Sequence, residues 1–247
     1  METNESAGKQ PYMGDLNNTQ IVGELFQIPQ DKRDEGWVKK FLASVATASF
    51  KSGDPQVIKG PDGFPYFALY LPEPHKEFQC FVIQHMKDDF LLERGLGVVV
   101  QPEGPSAQWV FSYGDILNYH LCGEFYSDPP QAEEPPENSP QNTEAQKVLV
   151  GQPAENYLPK VSRAVLHSYL ASFNIQDPKI LIMMRPAAAP APEAMIQELV
   201  FRLSPEMFQS QQQYENILRS LAWFLPRHYR YVSMGSGSTF ETSFAAL

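Results

Sequence analysis

The chain has 247 residues, of which 43% are hydrophobic, 19% charged and 12% aromatic, and its formal net charge is −10. That is apolar material for one or two packed cores, and no apolar run reaches the roughly 18–20 residues of a membrane span. The acidic balance argues against a dedicated nucleic-acid binder, and two distant cysteines, Cys80 and Cys122, build no disulfide framework, which points to a reducing cytoplasm.

Residues 1–19 are polar and lack periodicity, so they are read as a disordered N-terminus; no apolar stretch there marks a secretory signal. An α+β domain is expected over residues 20–127. Trp37, Phe41, Val45 and Ala48 recur at helical spacing and predict a helix over 35–49. Residues 56–59 and 66–71, joined by Gly60-Pro-Asp-Gly63, read as a hairpin, and 77–83 as a further strand. A short helix over 85–94 ends at Gly95 and Gly97. Val98–Val100 and Trp109–Phe111 form a second hairpin, and 113–121 is a closing helix stopped by Gly123.

Residues 128–147, DPPQAEEPPENSPQNTEAQK, hold five prolines and five acidic residues against one lysine, with no large apolar side chain. Such a segment cannot bury enough surface to offset the entropy of ordering, and it reads as a stiff acidic linker. It divides the charge as well: residues 1–127 carry −7, the linker −4 and residues 148–247 +1.

The second domain is expected over 148–234. Residues 147–151 read as a buried strand. Val161, Val165, Tyr169 and Phe173 line one helical face, with Pro159 in the first turn, and 179–185 is a second strand. Residues 196–203 alternate as a third. Ser204-Pro-Glu206 reads as a helix start, and a stripe from Phe208 to Leu225 precedes Pro226. Residues 227–234 alternate again. The order βαββαβ predicts a ferredoxin-like sandwich, so the whole is α+β, two small α/β lobes. Residues 235–247 are read as a flexible Gly/Ser-rich tail anchored by Phe240, Phe244 and Leu247.

The chemistry is sparse. Cys80 with His85 and His120 with Cys122 lack the paired short spacing of a zinc site, so neither a metal nor another cofactor is expected. Gly235-Ser-Gly-Ser lacks the lysine and helix of a phosphate loop. Adjacent Asp88-Asp89 reads as a solvated turn. Arg227, His228, Tyr229, Arg230 and Tyr231 interleave basic and aromatic groups as base-stacking sheets do, but without the glycines of an RNA-recognition motif; inward tyrosines and solvated arginines are the simpler reading. No catalytic residue stands out.

Val148-Leu-Val-Gly-Gln-Pro153, the Tyr157-Leu-Pro159 helix start and Lys179-Ile-Leu-Ile resemble the C-terminal domain of the SseB family, in which an LGQP-like opening precedes a helix and an apolar strand. The resemblance covers about 90 residues and implies a cytoplasmic bacterial protein of poorly defined biochemistry, linked to serine tolerance and to enhancing a sulfurtransferase, with no catalytic residues to carry over. The expected function is that of a non-enzymatic accessory protein binding another protein, a second copy of itself included, with neither nucleic acid nor membrane as partner. Arg227, Tyr229, Arg230, Tyr231, Phe240 and Phe244 are its candidate contact residues. Two alternatives stay open: a secretion-system or toxin-immunity component, and an enzyme with a site between lobes using His85, Asp115, His120 or Arg230.

Overall fold

The structure, a computed structural model, describes residues 13–103, 106–127, 148–186, 195–237 and 239–247. The expected linker at 128–147, residues 1–12 of the expected disordered N-terminus and residues 187–194, between the expected strands at 179–185 and 196–203, lie outside the described residues. The protein is α+β and forms two compact units. The division falls at Phe111/Ser112 rather than near 127, and Leu92–Gly95 also belongs to the second unit.

The first unit opens with a helix the sequence reading did not anticipate, α1 (Leu16–Phe26). Asp15 caps it, its carboxylate accepting from the N–H groups of Asn17 and Asn18 at 2.8 and 3.2 Å. Helix α2 (Glu35–Val45) starts at Asp34, which accepts from the Trp37 N–H at 2.8 Å. Strands β1 (Lys51–Lys59) and β2 (Pro65–Tyr70) form the expected hairpin. Asp62 fastens its turn by accepting from the Phe64 N–H at 3.1 Å.

Residues 77–83, expected as a strand, make a single bridge, Phe81 to Phe50. Strand β2 has β1 and β3 (Gly97–Val100) on its two edges, and the single bridge falls just before the start of β1. The chain instead turns into α3 (Ile83–Met86), a π-helical turn (Lys87–Leu91) and α4 (Leu92–Arg94). The sheet runs β1-β2-β3-β4, with β4 at Trp109–Phe111, and its β2–β3 pair is parallel. Phe41, fully buried, stacks on Trp37 and Phe111 and touches Trp109, joining α2 to β4.

The second unit takes in α4 and runs on through α5 (Tyr113–Cys122), β5 (Leu149–Gly151), α6 (Lys160–Ala171), β6 (Lys179–Pro186), β7 (Met195–Phe201), α7 (Gln211–Phe224), β8 (Arg230–Ser233) and β9 (Ala245–Ala246). The βαββαβ order is present, but the sheet order is β5-β6-β7-β8, and the ferredoxin-like arrangement does not form. That arrangement would place the first strand inside the sheet. Here β5 has three residues, Leu149 is 55% exposed, and β5 sits on the outer edge of β6. The buried centre goes to the longer β6 and β7, whose Ile180, Leu181, Leu199, Val200 and Phe201 are sealed from solvent.

Three further differences are local. The most buried stripe of α6 is Ser162, Leu166 and Leu170, one position beyond the expected Val161–Phe173 row. Ser204-Pro-Glu206 leads only into a 3-10 turn, and α7 starts at Ser210, whose hydroxyl accepts from the Gln213 N–H at 3.1 Å. Residues 239–247, expected as a loose tail, lie on β6: β9 pairs with Lys179 and Ile180.

Candidate functional site

A polar cluster of the second unit is built where α5 begins. Ser112 and Asp115 form a capping box, the Ser112 hydroxyl accepting from the Asp115 N–H at 3.1 Å and the Asp115 carboxylate from the Ser112 N–H at 2.9 Å. Between these two, position 114 is glycine for a steric reason. A Cβ on Gly114 would stand 2.0 Å from the Leu225 carbonyl oxygen, so only glycine lets α5 approach the end of α7 this closely.

That approach brings Arg227 to Asp115. Pro226 ends the helix, the Tyr229 N–H closes a turn onto the Pro226 carbonyl at 2.9 Å, and the Arg227 guanidinium swings back. Its Nε and Nη2 donate to the two Asp115 oxygens at 2.8 and 3.0 Å, a bidentate pair. The same guanidinium lies 4.0 Å from the centroid of the Tyr126 ring. Asp115 is wholly buried while the Arg227 side chain is 60% exposed, so the arginine brings a counter-charge from the surface to an interior carboxylate.

Next to it, Tyr229 lies parallel to Tyr157 with centroids 4.1 Å apart, and its hydroxyl donates to the Tyr157 carbonyl at 2.7 Å. Burial, with the Glu198 charge adding to it, pushes the Tyr157 phenol up to about 12. Burial also raises Tyr229 and lowers His228, which meets the Tyr229 ring edge-on. At neutral pH both phenols stay protonated. Chemically the cluster holds three chain segments together: the start of α5, the β5–α6 connection and the turn before β8.

The sequence-predicted residues therefore separate. Arg227 and Tyr229 work as internal fasteners. Tyr231 and Arg230 lie on opposite faces of β8: Tyr231 packs edge-on against Phe201, and Arg230 stands in register with Glu198, which holds Arg185 at 2.8 Å. Phe240 and Phe244 are half-buried at the two ends of a 3-10 turn. His85 lies in the first unit; Asp115, His120 and Arg230 lie in the second. Cys80 and Cys122 are free thiols, and among the described residues no group of three or more His, Cys, Asp or Glu side chains could hold a metal ion. No described helix is long and apolar enough to cross a membrane.

Two features have no counterpart in the sequence reading. A cavity of about 490 Å³ opens beyond the carboxyl ends of the parallel pair β7–β8, between Asn174–Asp177, Arg202–Ser204 and Met234–Ser236. The second is a pattern of exposure. Each outer strand of the two sheet paths carries one exposed large aliphatic side chain: Val57 on β1, Val110 on β4, Leu149 on β5 and Val232 on β8. Strand order decides which apolar residues are left outside, and alternation alone does not reveal that order.

Neither a protein-family model, nor a curated protein, nor a solved structure matches this chain.

Proposed function

We propose that this chain is a non-enzymatic accessory protein that binds another protein through the edges of its two sheets. The observation that carries this reading is the placement of Val57, Val110, Leu149 and Val232, one on each outer strand. An outer strand offers unpaired backbone N–H and C=O groups, and an apolar side chain on it supplies contact area to a strand added from outside. Edges that are kept solitary carry charge at such positions instead. The basic and aromatic groups around Arg227 and Tyr229 serve this function by holding the second sheet and its helices in one rigid frame. The resemblance to the SseB family supports the same reading and adds a cytoplasmic bacterial setting, with serine tolerance and support of a sulfurtransferase as the processes served.

The test is affinity enrichment from the native cell with the full chain as bait, beside Val110→Lys and Val232→Lys. The expected result is a stoichiometric partner with the wild-type chain, and its loss with at least one variant whose melting temperature is unchanged. Absence of any stoichiometric partner, or a partner equally enriched by both variants, overturns the reading.

A further inference from the structure

Strand β6 is paired along its whole length with β7 on one side, and on the other side it is divided. Strand β5 takes Ile182–Met184, and β9 takes Lys179 and Ile180. The segment that contains β9 is tied down at few points. Glu241 pairs with Arg202 at 2.5 Å, the Gln152 side chain donates to the Ser243 carbonyl at 2.9 Å, and the Leu247 N–H donates to the Pro178 carbonyl at 2.9 Å. A two-residue ladder and one half-exposed ion pair are a small holding force, and segments of this kind open at a low fraction of the global stability.

The connection to this segment passes through Gly237. Gly237 takes φ 85°, and nothing lies within 4 Å of where its Cβ would stand. Gly235 and Ser236 line the cavity of about 490 Å³, as do Asp177 and Arg202. Arg202 thus has two neighbours, the Glu241 carboxylate and the open cavity. Release of residues 241–247 would expose a backbone edge at Pro178–Ile180 and, beside the cavity, the Arg202 guanidinium.

Resting on the protein-interaction reading, we propose that this edge is a docking groove for an extended segment of another protein, and that residues 241–247 occupy it as an internal mimic. The mimic defines the partner's chemistry. A carboxylate meets Arg202, an aromatic side chain follows three residues later as Phe244 follows Glu241, and small residues then pair with β6 as Ala245 and Ala246 do. The backbone ladder supplies affinity, and the carboxylate and aromatic group supply selection.

The experiment uses the full chain and a fluorescent peptide of sequence TFETSFAAL, residues 239–247, read by anisotropy. In the wild-type chain the tethered copy competes at an effective concentration on the order of millimolar, so free peptide binds weakly. Glu241→Arg repels its own tail from Arg202 and is expected to bind the peptide at least about 10-fold tighter. Arg202→Glu is expected not to bind it, alone or together with Glu241→Arg, because the peptide carboxylate then meets a carboxylate. A second measurement needs no variant: in the wild-type chain the Leu247 amide is expected to exchange at least about 100-fold faster than those of β7.

Glu241→Arg binding no tighter than wild type, or Leu247 as protected as β7, overturns the proposal. So does a wild-type dimer that the peptide dissociates, because the occupant is then a second copy of the chain. If the groove fails in this assay while Val232→Lys still loses its partner, the groove falls and the broader interaction reading stands.

Discussion

The two units share a kernel of four elements and differ in what is added to it. In the first, the antiparallel hairpin β1–β2 leads through helical turns to β3, which lies parallel to β2. In the second, the hairpin β6–β7 leads through α7 to β8, parallel to β7. Each sheet has one further strand on its main path, and these strands go to opposite ends. Strand β4 follows the kernel and extends it beyond the parallel strand, whereas β5 precedes the kernel and extends it beyond the hairpin. A ββαβ kernel therefore leaves both ends open to growth, and chain order decides which end is used. The consequence is physical: in the first sheet the open hairpin edge is β1, while in the second that edge is shared by β5 and β9.

The cores differ in the same way. In the first unit the aromatic contacts run between helix and sheet through Phe41, Trp37, Trp109 and Phe111. In the second, one group runs between helices, through Tyr113 of α5 with Trp223 and Phe224 of α7. The largest expected effect tests the first pattern. Phe41→Ala should cost about 3–5 kcal/mol, because the ring is fully buried and the stacked neighbours cannot close the space. Trp37 and Trp109 report it by a red-shifted emission in the folded protein, while Trp223 keeps its environment. A loss below about 1 kcal/mol would mean that α2 repacks freely and that the aromatic wedge is not what orders this unit.

Next in size is the fastening of the second unit. Asp115→Ala removes the carboxylate half of the capping box and leaves Arg227 without its partner, and about 2–3 kcal/mol of stability should go with them. Arg227→Ala leaves a buried carboxylate with its capping bond alone and should cost a similar amount, and the double variant should cost less than the two together. Chemical denaturation of the four proteins makes the cycle. Additive losses would show that the pair is not a unit.

A smaller effect separates the units by pH. Burial pushes the phenols of Tyr113 and Tyr157 up to about 12 from the ordinary 10.0. A raised folded-state pKa favours the protonated form, so the stability it contributes is complete below pH 10 and is lost as pH rises through 12. Denaturation midpoints read from Trp223 should fall across that window, and Tyr113→Phe should flatten the fall. An unchanged slope in that variant would remove Tyr113 from the account.

Much of this was legible locally and little of it at long range. The Gly60–Gly63 turn, the caps of α5 and the element order of the second unit follow from residues within a few positions of one another. Strand order does not, because periodicity says which face is apolar and nothing about which neighbour pairs. Residues 77–83 have the composition of a strand, yet only Phe81 forms a bridge, to Phe50. Helix α1 hid behind a polar opening, although Asp15 was its visible cap. The Asp115–Arg227 pair spans 112 positions, and neither residue carries a local sign of the other beyond a carboxylate at the third position of a capped helix.

The smallest expected effect lies on the acid side and belongs to the first unit. Glu73 sits between Lys51, at 2.7 Å, and Lys76, and hydrogen bonds from these two ammonium groups pull its carboxyl down to about 2 from 4.5. A lowered folded-state pKa contributes stability that is present above the ordinary carboxylate range and disappears as pH falls from about 4.5 through 2. The group is fully exposed, so water and salt screen the pair and the gain is small. Glu73→Gln should therefore reduce the acid sensitivity of the first unit slightly, and salt on the order of 1 M should remove the difference between variant and wild type. The alkaline fall read from Trp223 should be untouched by this variant, since no part of the Glu73 pair belongs to the second unit. A Glu73→Gln effect that persists in high salt would show that the two lysines hold the end of β2 by packing their methylene stems rather than by charge.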